Sequence, residues 1–440
     1  MDKFLKKLII VFIILVFLKV IISLFVSSPT IFADEYYYMK MARSFNYDGN
    51  FNIDGEVSDL YPPLYPIIIS ISYLFKNPET TYLVIKIINA ILSSLIIIPI
   101  WLLGKEFLDK RKALIVSLII GIMPPFFALS PYILSENLFF TLFLFSIYFL
   151  YKSFTENKIK FDILAGIFIG LTYLTRVIAM ILFPLVIIIL IYHLIKKRDF
   201  SQIKRKLILL LVSLITISPW LIRNVLTFGF SIQGMLGYSL EASSVKSNFS
   251  LPFILYWILL YLSYLILASG ILFFSYSIFI KKIKNENLNL LFIITFVSTI
   301  LLIIISSIHS GSYPFKYYQW LTGRPFGRYI EEIIPLIILL GFIAINNKEV
   351  SNFVNKKRYT ITIIISLMFL ASYPLVLNSL FPVNNSSLSY FGVLKFFLNI
   401  DFIIILLFIL SPLFILKFYN LNFNKIAKLF FIFFLLVSIL

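Results

Sequence analysis

The chain has no cysteine, so neither a disulfide nor a thiolate takes part in its folding or its chemistry. Its two histidines, His193 and His309, stand far apart, which leaves no histidine-rich metal cluster and no Ser-His-Asp constellation. No glycine-rich phosphate loop appears in the sequence either. Charge is scarce: 13% of the 440 residues carry one, where a soluble domain has about a quarter. Hydrophobic residues fill the difference at 60%, with a mean hydropathy of +0.99. A soluble enzyme is excluded by that balance.

Apolar runs of about 20 residues recur along the chain, each long enough to cross a bilayer as a helix. Ten-residue alternation is missing, which excludes a membrane β-barrel. The expected fold is an all-α membrane protein of about 13 transmembrane helices, at 8–26, 82–103, 113–131, 137–151, 161–175, 177–195, 207–222, 252–280, 288–308, 329–345, 359–380, 401–416 and 429–440. The apolar stretch 64–75 is too short to span and reads as interfacial, and the pair of segments meeting at Arg176 is cramped. Lys3, Lys6 and Lys7 precede a run to Val26 that is too long for a signal peptide and lacks a small-residue cleavage site. It reads as a retained first span.

The net charge of +18 invites a nucleic-acid reading, but its distribution argues for topology. With the N-terminus inside, 26 of the 38 basic residues and 8 of the 20 acids fall on inner segments, leaving 12 of each elsewhere. The whole excess is therefore inner-loop charge, as the positive-inside rule demands, with anionic membrane lipids as its partners and no nucleic acid. The chain reads as one polytopic domain over 1–440, without a soluble C-terminal domain. Its longest polar connections, 27–81, 223–251, 309–328 and 381–400, all fall on the outer face.

The first of these, 27–81, holds the chemistry. Asp34 and Glu35 directly follow the first span, and Tyr38, Ala42 and Phe45 then recur at the spacing of an interfacial helix. Glu136 is wedged between apolar segments in SENLFF, where an acid is either functional or, after Ser135, part of a helix cap. Arg176 in LTR is the most isolated charge, read either as a snorkelling side chain or as an anion ligand. Arg223 in PWLIRN, with Arg324 and Arg328 in GRPFGRYIEEIIP, are outer arginines that the positive-inside rule does not explain; guanidinium forks suit phosphate. The sequons at Asn248 and Asn384 are of a kind frequent by chance.

These pieces, ADEYYYMKMA, YPPLYP, SENLFF, LTR, PWLIRN and GRYIEEIIP, resemble the GT-C superfamily of polytopic glycosyltransferases, most closely the protein-mannosyltransferase and aminoarabinose-transferase type. They occur in the family's order and cover most of the chain. The resemblance implies transfer of a sugar from a polyprenyl-phosphate carrier to a lipid, glycan or protein acceptor at the outer membrane face. By position, Asp34 would be the catalytic carboxylate, Glu35 its support and Glu136 a second acid. Arg176, Arg328 and Arg223 would bind phosphate, with Tyr61 and Tyr329 among the substrate contacts. Tyr61 stands where aminoarabinose-type relatives often have lysine, which argues against that substrate.

The chemistry requires no cofactor, because a sugar phosphate already carries its leaving group. A carboxylate removes the acceptor proton and arginines stabilise the departing phosphate, in an inverting displacement. Asp34 and Glu136 leave room for a bridging Mg²⁺ or Mn²⁺. The rival reading is a transporter or flippase for a lipid-linked glycan. It would need intramembrane charge, and Lys19 and Lys86 are nearly all the chain offers.

Overall fold

The computed structural model describes residues 3–27, 33–58, 61–156, 158–197, 200–231, 235, 251–312, 326–373, 375, 386–388 and 401–439. Nearly all of them are helical. Seven helices are long and apolar enough to cross a membrane: Lys3–Leu24, Pro78–Gly104, Glu136–Thr155, Val177–Lys196, Gln202–Phe228, Glu286–Ser310 and Phe402–Asn420. Two further pairs pass the same test only when joined across a sharp bend, giving nine at most among the described residues.

That differs from the expected thirteen, and the reasons are local. Segment 113–131 ends as a helix at Gly121, before Pro124, whose ring cannot donate the next backbone bond. Segment 161–175 forms a helix of 15 residues, about 22 Å long at the α-helical rise and shorter than a bilayer core. Segment 252–280 is broken by a 106° bend between Ala268 and Ile271, and 329–345 meets the next helix at 101°. The segment at 429–440 lies in a 17-residue helix, Phe423–Ile439. Hydropathy reads apolar length well. It does not see bends.

The chain divides into two compact units, Met1–Pro99 with Phe126–Ala242, and Ile100–Pro125 with Ser243–Leu440. In the first, α1 (Lys3–Leu24) packs on α4 (Pro78–Ser94), and α2 (Ala33–Asp48) on α3 (Leu64–Ser70). A hairpin of two-residue strands, β1 (Asn52–Ile53) and β2 (Glu56–Val57), follows α2. The chain leaves this unit within α5 (Ile97–Gly104), continues through α6 (Lys110–Gly121), and returns within α7 (Pro124–Phe127). Then α8 (Glu136–Thr155), α9 (Ile159–Tyr173), α10 (Leu182–Lys197) and α11 (Ser201–Phe228) complete it.

The α9–α11 contact is the tightest in this unit, and a motif the sequence reading passed over explains it. Gly166 and Gly170 form a G-x-x-x-G repeat on α9. A Cβ at Gly166 would fall 2.6 Å from the Leu209 carbonyl, and one at Gly170 would fall 2.5 Å from Thr216 Cβ. At one end of the same pair, Asp162 is fully buried and accepts from Lys206 Nζ (2.6 Å), Arg205 Nε (2.7 Å) and Ser153 Oγ (2.5 Å). Two helices are thus pinned by backbone proximity and by a buried ionic cluster.

In the second unit, helix Leu251–Ala268 packs on Glu286–Ser312, and Ile271–Ile278 on Ile334–Asn346. Helix Lys348–Ala371 packs on Asp401–Ile415, while Phe423–Ile439 lies on α6. Ser438 Oγ donates to the Ile122 carbonyl there (2.7 Å).

Candidate active site

Helix α2 begins with two carboxylates, which its N-terminal backbone dipoles favour. Its buried face is Glu35, Tyr38, Met39, Met41 and Ala42, so Asp34 and Glu35 point different ways. Glu35 is fully buried and accepts the Ile133 backbone N–H at 2.9 Å. It therefore supports the loop before α8. Asp34 is half-buried and accepts a 2.7 Å hydrogen bond from Tyr61 Oη.

Tyr61 sits in an aromatic cluster, its ring 4.7 Å from Tyr38 and 5.9 Å from Tyr37. Tyr65 closes the cluster at 5.0 Å from Tyr38. The Tyr65 hydroxyl donates to Asn89 Oδ1, and Asn89 Nδ2 donates to the Tyr132 carbonyl, both at 2.9 Å. After Pro62 and Pro63, the Leu64 N–H donates to the Leu174 carbonyl at 2.9 Å. That bond joins the YPPLYP motif to the end of α9, two residues before Arg176.

Glu136 opens α8 and is 1% exposed. The helix-cap alternative is not adopted: the Ser135 side chain makes no capping bond to the backbone. Instead Tyr38 Oη donates to Ser135 Oγ (2.7 Å), and Ser135 Oγ donates to Glu136 Oε2 (3.4 Å). Arg176 forms an ion pair with Glu136 through its Nη1. Its guanidinium also lies 5.5 Å from the Phe139 ring centroid. Arg176 is thus neither snorkelling nor isolated. Burial, reinforced by the Asp34 charge, pushes the Tyr38 phenol well above its usual range, so it stays a proton donor throughout the working pH range.

Asp34, Tyr61, Tyr38, Ser135, Glu136 and Arg176 therefore gather in one unit from four separate stretches. Arg223 lies in the same unit, its guanidinium 4.7 Å from Trp220 and 5.3 Å from Phe228, with Nη1 donating to Asn224 Oδ1 (2.8 Å). The Trp220 ring meets Phe51 edge-on at 5.5 Å, and Phe51 stacks on Phe45 of α2 at 5.1 Å.

Arg328 and Tyr329 belong to the second unit. They form a 3₁₀ turn, Gly327–Tyr329, beside a buried acid that sequence reasoning left unassigned. Glu331 accepts from Tyr264 Oη (2.5 Å) and from the Ser387 N–H (3.0 Å). Gly327 is required because a Cβ there would meet Tyr264 Oη at 2.0 Å. The Tyr329 ring lies 5.1 Å from His309, while His193 lies 5.5 Å from Phe154. Arg324 and the sequon asparagines Asn248 and Asn384 lie outside the described residues.

Lys19 and Lys86, the mid-span charges, both serve the α1–α4 contact. Lys19 Nζ donates to Ser93 Oγ (2.9 Å), and Lys86 Nζ donates to the Ser23 and Val26 carbonyls at the end of α1. Among the described residues, no group of three or more His, Cys, Asp or Glu side chains could hold a metal ion. The two carboxylates named for a bridging cation are Asp34, held by Tyr61, and Glu136, whose charge Arg176 already balances. That donor set fits a resident cation poorly.

Residues 61–222 match the family described as dolichyl-phosphate-mannose-protein mannosyltransferase. The structure is similar to ArnT from Cupriavidus metallidurans bound to undecaprenyl phosphate, at 14% identity and a TM-score of 0.60, over 99% of this chain and 76% of that one. The apo form of the same protein gives a TM-score of 0.61 at 14% identity, with the same coverage of both chains. The archaeal oligosaccharyltransferase AglB from Archaeoglobus fulgidus, in complex with an inhibitory peptide and a dolichol-phosphate, gives 0.51 at 14% identity, over 88% of this chain and 56% of that one. No curated protein sequence matches the chain. The likeness to these structures is one of fold, and with the long apolar helices it shows the expected class, a multi-pass helical membrane protein.

Proposed function

We propose that the chain is a membrane glycosyltransferase that moves a sugar from a polyprenyl-phosphate carrier to a hydroxyl-bearing lipid, glycan or protein acceptor. The observation that carries the reading is the convergence of Asp34 with the Glu136–Arg176 pair through Tyr61, Tyr38 and Ser135. The motif match over 61–222 and the fold likeness to two proteins holding polyprenyl phosphates support it.

In this reading the acceptor hydroxyl oxygen attacks the anomeric carbon from the face opposite the phosphate. The new C–O bond forms as the bond to phosphate oxygen breaks, and the phosphate leaves with that electron pair. Asp34 takes the hydroxyl proton as general base. Arg176 offsets charge growing on the phosphate. A guanidinium carries five donors in a planar fork, so an arginine braced by a carboxylate on one edge can present another edge to phosphate. Displacement from one side inverts the anomeric centre. Arg223 is a further phosphate ligand, its planar group already oriented by Trp220.

No step runs through a cation. The site lies at the membrane face that the lysine-rich segments leave to the outside, with the N-terminus within. The test is transfer of radiolabel from a panel of undecaprenyl-phosphate-linked sugars by the purified chain. Asp34→Asn should abolish transfer; full transfer by that variant would overturn the assignment.

A further inference from the structure

Tyr61 does something the reading above does not require of it. Substrate contact was its expected role, yet its hydroxyl is bonded to the carboxylate that would do the chemistry, at 2.7 Å. The backbone around it is unusually restricted. A residue before proline is held extended, and Pro62 and Pro63 each have φ fixed by their rings. The next residue, Leu64, is fastened to the Leu174 carbonyl at 2.9 Å. Leu174 belongs to the turn that delivers Arg176, and α9 beneath that turn is locked to α11 at Gly166 and Gly170. On its other side the Tyr61 ring is packed against Tyr37 and Tyr38 of α2 itself.

We infer that Tyr61 is a positioning residue that fixes the orientation of Asp34, keeps it ionised, and sets its spacing from Arg176. The inference rests on the glycosyltransferase reading, because it needs Asp34 to be the base. A neutral hydroxyl donating to a carboxylate stabilises the charged form, so the bond keeps Asp34 proton-accepting at lower pH. The same bond selects one side-chain rotamer. The two-proline tether carries that placement to the phosphate-binding arginine through three residues of chain with little torsional freedom. A base at the start of one helix and an arginine in the turn after another are thereby brought to a common register.

This role separates cleanly from substrate contact. Loss of a substrate contact raises KM at an unchanged pH profile, whereas loss of the hydroxyl from a base-positioning tyrosine moves the profile. The experiment measures transfer from undecaprenyl-phosphate-linked sugars against pH for the full chain in lipid nanodiscs. Tyr61→Phe should keep measurable transfer, lower kcat with little change in KM, and move the acid limb about one pH unit upward. Fluorotyrosine at position 61, a stronger donor with the same ring, should move the limb downward. Tyr65→Phe removes a hydroxyl from the same cluster but one bonded to Asn89, and should leave the limb in place. Should Asp34→Asn be inactive while the Tyr61→Phe and fluorotyrosine limbs coincide with the parent, the positioning role is overturned and the base assignment stands. A rise in KM alone in Tyr61→Phe also overturns it, in favour of substrate contact. If Asp34→Asn transfers sugar at the parent rate, the base assignment falls, and this inference with it.

Discussion

Arg176 and Glu136 are ion-paired where the turn after α9 meets the start of α8, with the carboxylate 1% and the guanidinium 13% exposed. Each charge is sheltered from water and balanced by the other. Removing one partner strands the other, which costs about 3–5 kcal/mol in a buried pair. Arg176→Ala should therefore lower the thermal midpoint in detergent markedly. The double variant Arg176→Met, Glu136→Gln, with no charge left to strand, should recover much of that loss. It should not recover transfer. A double variant as unstable as the single would show that the pair is not the source of the cost.

Close approach of α9 and α11 fixes the end of α9 that leads into Arg176. Gly170→Ala places a methyl within 2.5 Å of Thr216 Cβ, and Gly166→Ala places one 2.6 Å from a carbonyl oxygen that cannot rotate away. Overpacking of this kind typically costs about 1–3 kcal/mol. Both variants should lose stability, and Gly166→Ala more, because its neighbour is backbone. Thermal unfolding of the two purified variants checks the order.

Much of this was legible in the sequence, and the failures share a cause. Apolar length located the helices, an adjacent carboxylate pair opening a polar loop pointed to Asp34, and charges in apolar surroundings pointed to Glu136 and Arg176. Pairing was not legible: nothing in spacing says that residues 40 apart, Glu136 and Arg176, meet. The bond from the Ile133 N–H to Glu35, 98 residues back in the chain, was likewise invisible in the spacing. Asp162 was overlooked because it sits among inner-loop lysines, where an acid looks solvated. The G-x-x-x-G motif of Gly166 and Gly170 was there to be read. Bends escaped because hydropathy averages over them.

The hairpin after α2 offers a pH-dependent handle away from the site. Asp54, at its tip with φ of 52°, accepts from Lys40 Nζ (2.7 Å) and Tyr36 Oη (2.5 Å), both on α2. Those two bonds hold its carboxyl below the usual carboxylate range. A depressed folded value means the contact stabilises above the unfolded value, near 3.9, and is lost as pH falls through the folded one. The hairpin should thus stay docked at pH 4 and detach below it. Hydrogen exchange at residues 49–58 reads this, and Asp54→Asn should show fast exchange already at pH 7.

Metal removal tests the donor argument directly. Because Glu136 is balanced by Arg176 and Asp34 is held by Tyr61, transfer should persist after dialysis against EDTA. Recovery of a lost activity by added Mg²⁺ or Mn²⁺ would instead return Asp34 and Glu136 to the role of cation ligands.

The far end of α9 carries an ionic cluster of its own. Asp162, fully buried, holds buried Lys206 and partly buried Arg205, 11 residues and about 17 Å of helix from Tyr173 at the other end of α9. Asp162→Asn removes one negative charge from a buried lysine and a partly buried arginine and should destabilise by several kcal/mol, by the same reasoning as for Arg176. Added salt should not mimic the effect, since a fully buried carboxylate is poorly screened. The two sites share no partner and lie well beyond 10 Å apart, so their stability losses should add to within about 0.5 kcal/mol. Activity should behave differently. Asp162→Asn leaves every group of the candidate site in place, so transfer per folded molecule should stay near the parent value, while Arg176→Ala removes it. Strong loss of transfer in a folded Asp162→Asn protein would mean that α9 conveys strain along its length, and that the cluster tunes the site instead of merely holding two helices together.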